Sequence, residues 1–298
     1  MKDSLPTRMD CGPPSQGDQS TPTDEANPRA SAETKWVAAD DPFPFSCQPT
    51  PECARKCCRG PILLTPYDVL RLKKRLAMRS GDFLRQYAQI CVDKQSPVPS
   101  LFLRPNDDGV CQFLGEPGCT VYSDRPWACR LYPLGFAVRK DPASGQGEQR
   151  YFLLPQPDGC STAETPAQTA RQWLDTQDIE ACERWGAQFK ELVLHEAMAR
   201  PEALSPMKTE MWFTACYDLD RFREFVFGST LLQRFEVDDD LVEEMRYDDE
   251  GLMRFALQWL RFSLLGEPTM QVKTSAVEAY LARASKSNQQ PGSQPEGP

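Results

Sequence analysis

The stretch from Phe45 to Gly60 reads FSCQPTPECARKCCRG, and it holds cysteines that are unusually close together in the chain: Cys47, Cys53, Cys57 and Cys58. The later stretch GVCQFLGEPGCTVYSDRPWACRLYPLG, from Gly109 to Gly135, and the segment after it add Cys111, Cys119, Cys129 and Cys160. Thiolates are soft ligands that suit zinc and iron–sulfur clusters. These eight cysteines are therefore the predicted metal ligands, and they would fill two four-cysteine sites.

The adjacent pair Cys57 and Cys58 narrows the kind of metal centre. In most backbone conformations the two side chains point apart, so one tetrahedral ion rarely binds both. Two neighbouring sulfurs serve more easily in two metal sites, unless one of them is not a ligand. Glycines that leave room for backbone N–H groups near sulfur favour iron–sulfur over zinc, and these are Gly60, Gly109, Gly118 and Gly135. Three arginines are predicted either to offset thiolate charge or to close the site by salt bridges: Arg59, Arg125 and Arg130.

The composition argues against several classes of function. The 298 residues carry a net charge of -9, whereas a nucleic-acid binder needs a basic face to neutralise phosphates. The only histidine is His195, so Cys/His zinc fingers and a Ser–His–Asp triad lose support. No apolar run reaches the roughly 18 residues of a membrane span, and the N-terminus has no signal-peptide core. We therefore expect a cytoplasmic protein with no membrane partner and reduced thiols.

The chain divides by composition into four parts. Residues 1–40 and 285–298 are rich in polar residues, glycine and proline, so we expect disordered tails. Residues 43–162 are loop-rich and hold the cysteines, which predicts a metal-binding domain. Residues 165–284 show apolar residues at helical spacing, which predicts a helical region. The expected fold is mainly α, with an irregular cysteine-cluster core, a small β-hairpin and C-terminal helices.

Local signals predict individual elements. Thr65 as N-cap, Pro66 at the first position and Asp68 in the first turn predict a helix. SGDFLRQYAQI predicts a second helix, capped by Ser80. GFAVRK and QRYFLLP flank a turn-rich segment and predict the β-hairpin. The acidic run VDDDLVEEMRYDDE is interpreted as helix caps and a solvated face. The isolated cysteines Cys91, Cys182 and Cys216 are predicted to be packing residues.

The cysteine pattern resembles the CxxCxxCC, or YkgJ-type, family of zinc- or iron-chelating proteins. Besides the eight cysteines, the resemblance is carried by Tyr122, Arg125, Pro126, Arg130 and Pro133. It covers residues 45–160 and extends towards the helix with Trp173 and Gln177. The spacing departs from the family name, because five residues separate Cys47 from Cys53 and three separate Cys53 from Cys57.

The resemblance leaves the biochemical role open between three hypotheses. The first is a metal-binding protein that holds an iron–sulfur cluster or zinc. The family also includes flagellin lysine methylases, so the second is an enzyme that modifies a protein side chain with S-adenosylmethionine. The sequence shows no glycine-rich loop of the usual nucleotide-binding type. The third is an interaction module that zinc merely stabilises, and its protein partner or substrate is unidentified.

Overall fold

The computed structural model describes residues 7–10, 35–45, 56–92, 96, 98–116, 118–140, 147–154, 167–200 and 204–287. The chain forms two compact units, Met1–Leu204 and Ser205–Pro298. Helices predominate in the described residues, and the sheets are small, with at most four strands each. The prediction of a mainly α fold is confirmed. The described sheets outnumber the single hairpin that was expected.

The first unit mixes short strands with helices. Its strands are β1 (Thr7–Asp10), β2 (Trp36–Val37), β3 (Pro42–Pro44), β4 (Leu63–Leu64), β5 (Ala88–Val92), β6 (Ser100–Leu103), β7 (Leu114–Gly115), β8 (Gly118–Cys119), β9 (Leu134–Lys140), β10 (Gly147–Leu153) and β11 (Ala167–Thr169). Its α-helices are α1 (Pro66–Arg75), α2 (Ser80–Tyr87), α3 (Trp127–Leu131), α4 (Ala170–Asp175) and α5 (Glu180–Val193). Short 3-10 turns lie at Lys56–Arg59, Tyr122–Asp124 and Glu196–Met198.

Helix α1 begins as its sequence predicts. The Thr65 hydroxyl accepts a hydrogen bond from the Asp68 backbone N–H at 3.2 Å, and the Asp68 carboxylate accepts one from the Thr65 N–H at 2.7 Å. This reciprocal pair is a capping box, and Pro66 occupies the first turn. The predicted apolar face is buried at Val69 and Leu72. The helix is therefore specified by local sequence.

Helix α2 is shorter than predicted. Ser80 is its first residue rather than a side-chain cap, the helix ends at Tyr87, and β5 follows directly. β5 pairs antiparallel with β6, and the order of this sheet is β1-β5-β6-β4, in which β1 runs parallel to β5. Ala88 and Ile90 point into the core beside the buried residues of β6. Sheet pairing therefore overrides the helical pattern in the last residues of the predicted helix.

The predicted hairpin is confirmed, since β9 and β10 pair antiparallel from Leu134 with Leu153 to Lys140 with Gly147. β2 adds to the free edge of β10, and β3 pairs with β11. Together they enclose an apolar cluster of Val37, Phe43, Phe45, Leu134 and Ala170. At Gly135 a Cβ atom would lie 2.3 Å from the Phe152 ring, so only glycine fits there. This glycine serves packing, which differs from its predicted place near sulfur.

The predicted tails and domain boundaries meet the structure only in part. Most of residues 1–40 lies outside the described residues, but two pieces form β1 and β2, where the sequence predicted no structure. Val37 becomes buried through long-range packing, which a two-residue apolar pair does not signal. The compact units divide at Leu204, and α4 and α5 belong to the first unit with the cysteine segments. The boundaries 43–162 and 165–284 stay a prediction.

The second unit is helical, as expected. Its helices are α6 (Pro206–Tyr217), α7 (Leu219–Gly228), α8 (Leu231–Arg234), α9 (Asp239–Tyr247), α10 (Asp249–Leu260) and α11 (Thr274–Ser287), and α10 continues into a π-helical turn at Arg261–Leu265. A two-stranded sheet joins β12 (Phe235–Glu236) to β13 (Gln271–Val272). Fully buried Trp212, Phe222 and Phe255 lie at its centre. Residues beyond Ser287, in the predicted C-terminal tail, lie outside the described residues.

The acidic run caps helices, as predicted. The Asp238 carboxylate accepts from the Asp240 N–H at 2.9 Å at the start of α9, and Asp248 accepts from the Gly251 N–H at 2.8 Å at the start of α10. Asp249 has a different role, because its buried carboxylate accepts a hydrogen bond from Arg223 at 2.6 Å. This ion pair links α7 to α10.

Candidate metal centre

Five of the eight predicted ligands lie in the described residues, and their thiols are free. They are Cys57, Cys58, Cys111, Cys119 and Cys129, called the thiol cluster below. The other three, Cys47, Cys53 and Cys160, lie outside the described residues. The five come from four elements. Cys57 and Cys58 lie in the 3-10 turn Lys56–Arg59, Cys111 lies in the loop before β7, Cys119 lies in β8, and Cys129 lies in α3.

Backbone hydrogen bonds join the two cysteine-bearing stretches of the sequence. The Cys111 N–H donates to the Cys58 carbonyl at 2.8 Å, across more than fifty residues of chain. The Cys111 carbonyl then accepts from the Leu114 N–H at 3.0 Å, and the small hairpin of β7 and β8 pairs Leu114 with Cys119. The backbone therefore holds cysteines from both stretches in one region of the first unit.

A tight turn positions Cys111. The Asn106 side chain accepts hydrogen bonds from the backbone N–H groups of Asp108 and Val110 at 3.1 and 2.8 Å. Gly109 has φ 73°, a left-handed conformation that a side chain would strain. This turn returns the chain so that Cys111 forms a β-bridge with Pro105. The role of Gly109 is thus conformational.

The adjacent thiols of Cys57 and Cys58 ionise unequally. The hydrogen bond from the Cys58 thiol is the largest cause that lowers the pKa of Cys57, to about 7. The same hydrogen bond, followed by burial, raises the pKa of Cys58 far above its ordinary value. One thiolate therefore forms readily in this pair, and the proton on its neighbour stabilises it.

Electrostatic effects connect all five members of the thiol cluster. Burial raises the pKa of Cys129 strongly, and the nearby Cys111 and Cys119 raise it further, while Arg125 lowers it. Burial also raises the pKa of Cys111, although the backbone N–H groups of Phe113 and Leu114 favour its thiolate. Cys58 responds to Cys57, Cys111 and Cys129. The five sulfurs are thus close enough to repel one another when ionised, a repulsion that a bound cation relieves.

The described thiols do not by themselves complete a metal site. Within the part of the chain that the structure describes, no three cysteine, histidine, aspartate or glutamate side chains are arranged to hold one ion. Three of the predicted ligands fall outside that part. The donor set nevertheless fits a soft metal, because it consists of free thiols that approach one another.

Asp68 anchors the region beneath the thiol cluster, a role that the sequence analysis missed. Its buried carboxylate accepts hydrogen bonds from Thr65 and, at 2.8 Å, from the Trp127 backbone N–H at the start of α3. Burial raises the Asp68 pKa, against the effect of these donors. Asp68 therefore fixes α3, and with it Cys129, to the start of α1. The sequence signal for Asp68 was its position in a capping box, which explains only the contact with Thr65.

Arg130 is the second buried anchor. It is 3% exposed, and its guanidinium donates to the backbone carbonyls of Gln177 at 2.7 Å, Asp178 at 3.2 Å and Arg125 at 3.1 Å. A further N–H donates to the Ser123 carbonyl. Arg130 thereby ties α3 and the preceding loop to the turn between α4 and α5. These contacts bridge backbone segments, and the role of Arg130 in offsetting thiolate charge stays a prediction.

Arg125 is held differently. Its guanidinium stacks 4.1 Å from the centre of the Tyr122 ring, and one terminal N–H group donates to the Gln177 side-chain oxygen at 2.5 Å. Its Nε atom is buried and has no hydrogen-bond partner among the described residues. A buried N–H donor without a partner is unfavourable unless it faces a bound group. This N–H group is therefore available to an anionic or electron-rich acceptor.

The remaining arginine and lysine contacts stabilise the surroundings. Arg71 of α1 donates through two nitrogens to one Asp124 carboxylate oxygen, at 2.6 and 2.9 Å. Lys190 of α5 places its ammonium group 4.3 Å from the Phe136 ring centre and 5.6 Å from that of Trp127. Burial lowers the Lys190 pKa. These contacts attach α1 and α5 to the segment that carries Cys129.

The isolated cysteines differ from the thiol cluster. Cys182 and Cys216 are buried and free, which confirms their predicted packing role. Burial raises the pKa of Cys182 to about 11, so its thiol stays protonated at neutral pH. Cys91 is buried, as predicted for a packing residue, but it is disulfide-bonded, so the expectation that the thiols are reduced is wrong for this cysteine. Cys91 lies in β5, which pairs with β1, and the sequence pattern did not predict this neighbouring strand.

Comparison with known proteins identifies the cysteine segment. Residues 46–174 match the CxxCxxCC family, described as a "Putative zinc- or iron-chelating domain". This segment is therefore similar to that family, and the match spans all eight predicted ligands but ends before Gln177. No curated protein and no solved structure matches the chain. None of the described helices combines the length and apolar character needed to cross a lipid bilayer.

Proposed function

We propose that this CxxCxxCC-like segment binds a thiolate-held metal centre through the thiol cluster, completed by Cys47, Cys53 and Cys160. The observation that carries the proposal is the grouping of five free thiols from four elements, each close enough to affect the ionisation of another. Gathering thiols in this way is unfavourable once they ionise, and a bound cation offsets the repulsion.

The number of sulfurs favours an iron–sulfur centre, with zinc as the alternative. One zinc ion takes four ligands, whereas the thiol cluster alone has five members. The neighbours Cys57 and Cys58 are easier to use when two groups of ligands are assembled. Such a centre, when bound, supplies either a redox couple or a structural cross-link.

The surrounding residues would hold the ligands in place. Asp68 fixes the start of α3, which carries Cys129, and Arg130 fixes the loop before it. The backbone N–H groups near Cys111 favour its thiolate. These groups are the outer contacts that orient metal ligands in proteins, and their loss typically lowers metal affinity by about 10- to 100-fold.

The redox state of the thiols bears on the compartment in which the protein acts. Free cysteines and metal-bound thiolates persist in reducing compartments, so we propose that the protein acts in the cytoplasm, although disulfides such as that of Cys91 are rare there. No contact among the described residues favours the S-adenosylmethionine-dependent alternative or identifies a protein partner. The proposal is therefore confined to metal binding.

The test is purification of the full chain without oxygen, followed by elemental analysis, acid-labile sulfide analysis and a visible spectrum. A brown protein with iron and sulfide in similar amounts supports an iron–sulfur centre. A colourless protein with bound zinc supports the alternative. A protein that carries neither metal, and takes up neither after reduction and addition of ferrous iron with sulfide or of zinc, contradicts the proposal.

A further inference from the structure

The guanidinium group of Arg125 has contacts on its face and at one terminal nitrogen, but none at Nε in the described part of the chain. Its face lies on Tyr122, 4.1 Å from the ring centre, and a terminal nitrogen is bonded to Gln177. These contacts fix the plane of the guanidinium group. The Nε edge remains, and it is buried without a partner among the described residues. The side chain is thus preorganised around one unused N–H donor.

Arg130, five residues further on, shows what a purely structural arginine looks like at this site. Its Nε–H donates to the Arg125 carbonyl at 3.1 Å, and its terminal nitrogens donate to the carbonyls of Gln177 and Ser123. An arginine that served only to bridge backbone segments would engage its Nε in the same way. The buried Nε of Arg125, in contrast, has no carbonyl acceptor among the described residues.

We propose that the Nε–H of Arg125 donates a hydrogen bond to a metal-bound thiolate of the thiol cluster, with Cys129 as the acceptor. The proposal rests on the metal-binding function proposed above. Arg125 immediately precedes Pro126, whose carbonyl accepts from the Cys129 N–H at 2.9 Å in the first turn of α3.

Arg125 is then a positioning residue that acts through a ligand. A hydrogen bond from N–H to a metal-bound thiolate draws electron density from sulfur and makes protonation of that sulfur less favourable. The thiolate consequently keeps its metal to a lower pH. Gln177 and Tyr122 contribute by orienting the guanidinium group. Because Gln177 lies beyond the 46–174 match, the functional unit extends past the matched segment.

The test compares Arg125→Lys with the protein as purified without oxygen, using the metal that it carries. Lysine keeps the positive charge but lacks the planar guanidinium group and its Nε–H donor. We therefore expect the metal affinity, measured by competition with a chelator, to fall about 10- to 100-fold. The pH at which half of the metal is released should rise. The sulfur-to-metal charge-transfer absorption should shift, after replacement by cobalt(II) if the resident metal is zinc.

Arg171→Lys is the matched control. Arg171 lies in the first unit, and its Nε–H already donates to the Asp40 carboxylate at 3.0 Å in an exposed contact. This variant should retain the affinity and the spectrum of the wild type. Tyr122→Leu removes an exposed ring, so the fold is kept, and we expect a roughly two- to fivefold loss of affinity from the weaker orientation of Arg125.

Three outcomes are separable. If Arg125→Lys binds the metal as tightly as the wild type and has the same absorption, the hydrogen bond is absent and the inference is overturned. If Arg125→Lys and Arg171→Lys lose equal affinity, the effect is not specific to Arg125, which also overturns the inference. A wild type that holds no metal rejects the proposed function itself, which is a distinct result. Should Arg125→Lys fail to fold, Tyr122→Leu decides by the same readouts.

Discussion

Both units have apolar cores, but the first unit also buries polar side chains around its cysteines, whereas the buried Asp249 of the second unit pairs with Arg223. In the second unit, Trp212, Phe222 and Phe255 are at most 1% exposed, and aromatic rings touch one another across its helices. In the first unit, charged and amide groups are buried beside the apolar cluster: Asp68, Arg130 and Gln177 are at most 7% exposed. These polar groups bond to backbone segments that carry or flank the cysteines.

The difference shows how each unit obtains its stability. Burying apolar surface stabilises the second unit directly, at about 25 cal/mol per Å². Buried polar networks contribute little net free energy, but they fix geometry. The polar contacts around the cysteines of the first unit therefore fix geometry more than they add stability. A bound metal would add its binding free energy to this region.

Metal removal should produce the largest difference between the two units, because it should destabilise the first unit and leave the second unchanged. Structural thiolate sites contribute apparent binding free energies of the order of 10 kcal/mol, and chelation forfeits them. We expect hydrogen exchange measured by mass spectrometry to accelerate in peptides covering residues 56–131 and to stay unchanged in those covering 206–260. Equal acceleration in both units, or none in either, would contradict the comparison.

Truncation of the aromatic core should have the opposite selectivity. Phe222 lies 5.4 Å from Trp259 and 6.4 Å from Phe255, measured between ring centres. Phe222→Ala should destabilise the second unit by about 3–5 kcal/mol through lost burial and a cavity. Urea unfolding followed by hydrogen exchange measures this loss, while elemental analysis should find the metal content unchanged. A fall in metal content would show that the site depends on the aromatic core.

Loss of the buried carboxylate should affect the metal region with a smaller change in stability. Asp68→Ala leaves the Trp127 N–H without its acceptor, which costs roughly 1–3 kcal/mol. Metal content should fall as well, because α3 loses its anchor to α1. Thr65→Ala is the control, since it removes the capping hydroxyl at a cost of about 1 kcal/mol but leaves the contact with Trp127. Full metal content in Asp68→Ala would disprove the anchoring role.

The smallest effect is expected at the ion pair of Arg71 and Asp124. Its side chains are 29% and 17% exposed, so Arg71→Gln should cost only about 0.5–1 kcal/mol. Burial acts to raise the Asp124 pKa, but hydrogen bonds from Ser123 and Arg71 lower it overall. The contribution is therefore present above about pH 4 and is lost only as the pH falls through the lowered pKa.

Urea unfolding at several pH values checks this contribution. The stability difference between the wild type and Arg71→Gln should be constant from about pH 8 to pH 5.5, because the Asp124 carboxylate stays ionised in that range. Asp124→Asn should give the same small difference. A difference that already falls between these pH values would mean that the Asp124 pKa is not lowered.

Local signals in the sequence predicted what local contacts determine. The start of α1 followed from Thr65, Pro66 and Asp68, which interact within a few residues of one another. The hairpin of β9 and β10 followed from two apolar segments around a turn. Strand β5 was predicted as helix, because its pairing with β6 arises from residues about ten positions further along the chain. Propensities within a short segment do not indicate pairing with a later strand.

The sequence predicted the type of ligand in the candidate site, but it did not predict the residues that hold the ligand-bearing segments in place. Cysteine spacing alone selected the thiol cluster, since few other residue types gather for metal binding. The roles of Asp68 and Arg130 depend on partners 59 and 47 residues away, so the sequence gives no sign of them. The interaction of Arg125 with Gln177 likewise appears only in three dimensions.

The most direct test of the central claim is the metal content per chain of Cys111→Ser, beside Cys216→Ala, after purification without oxygen. Cys111 belongs to the thiol cluster, whereas Cys216 is a buried, free cysteine of the second unit. The account predicts that Cys111→Ser loses at least one metal site and that Cys216→Ala retains the wild-type content. Wild-type metal content in Cys111→Ser would show that the metal is not held by the thiol cluster.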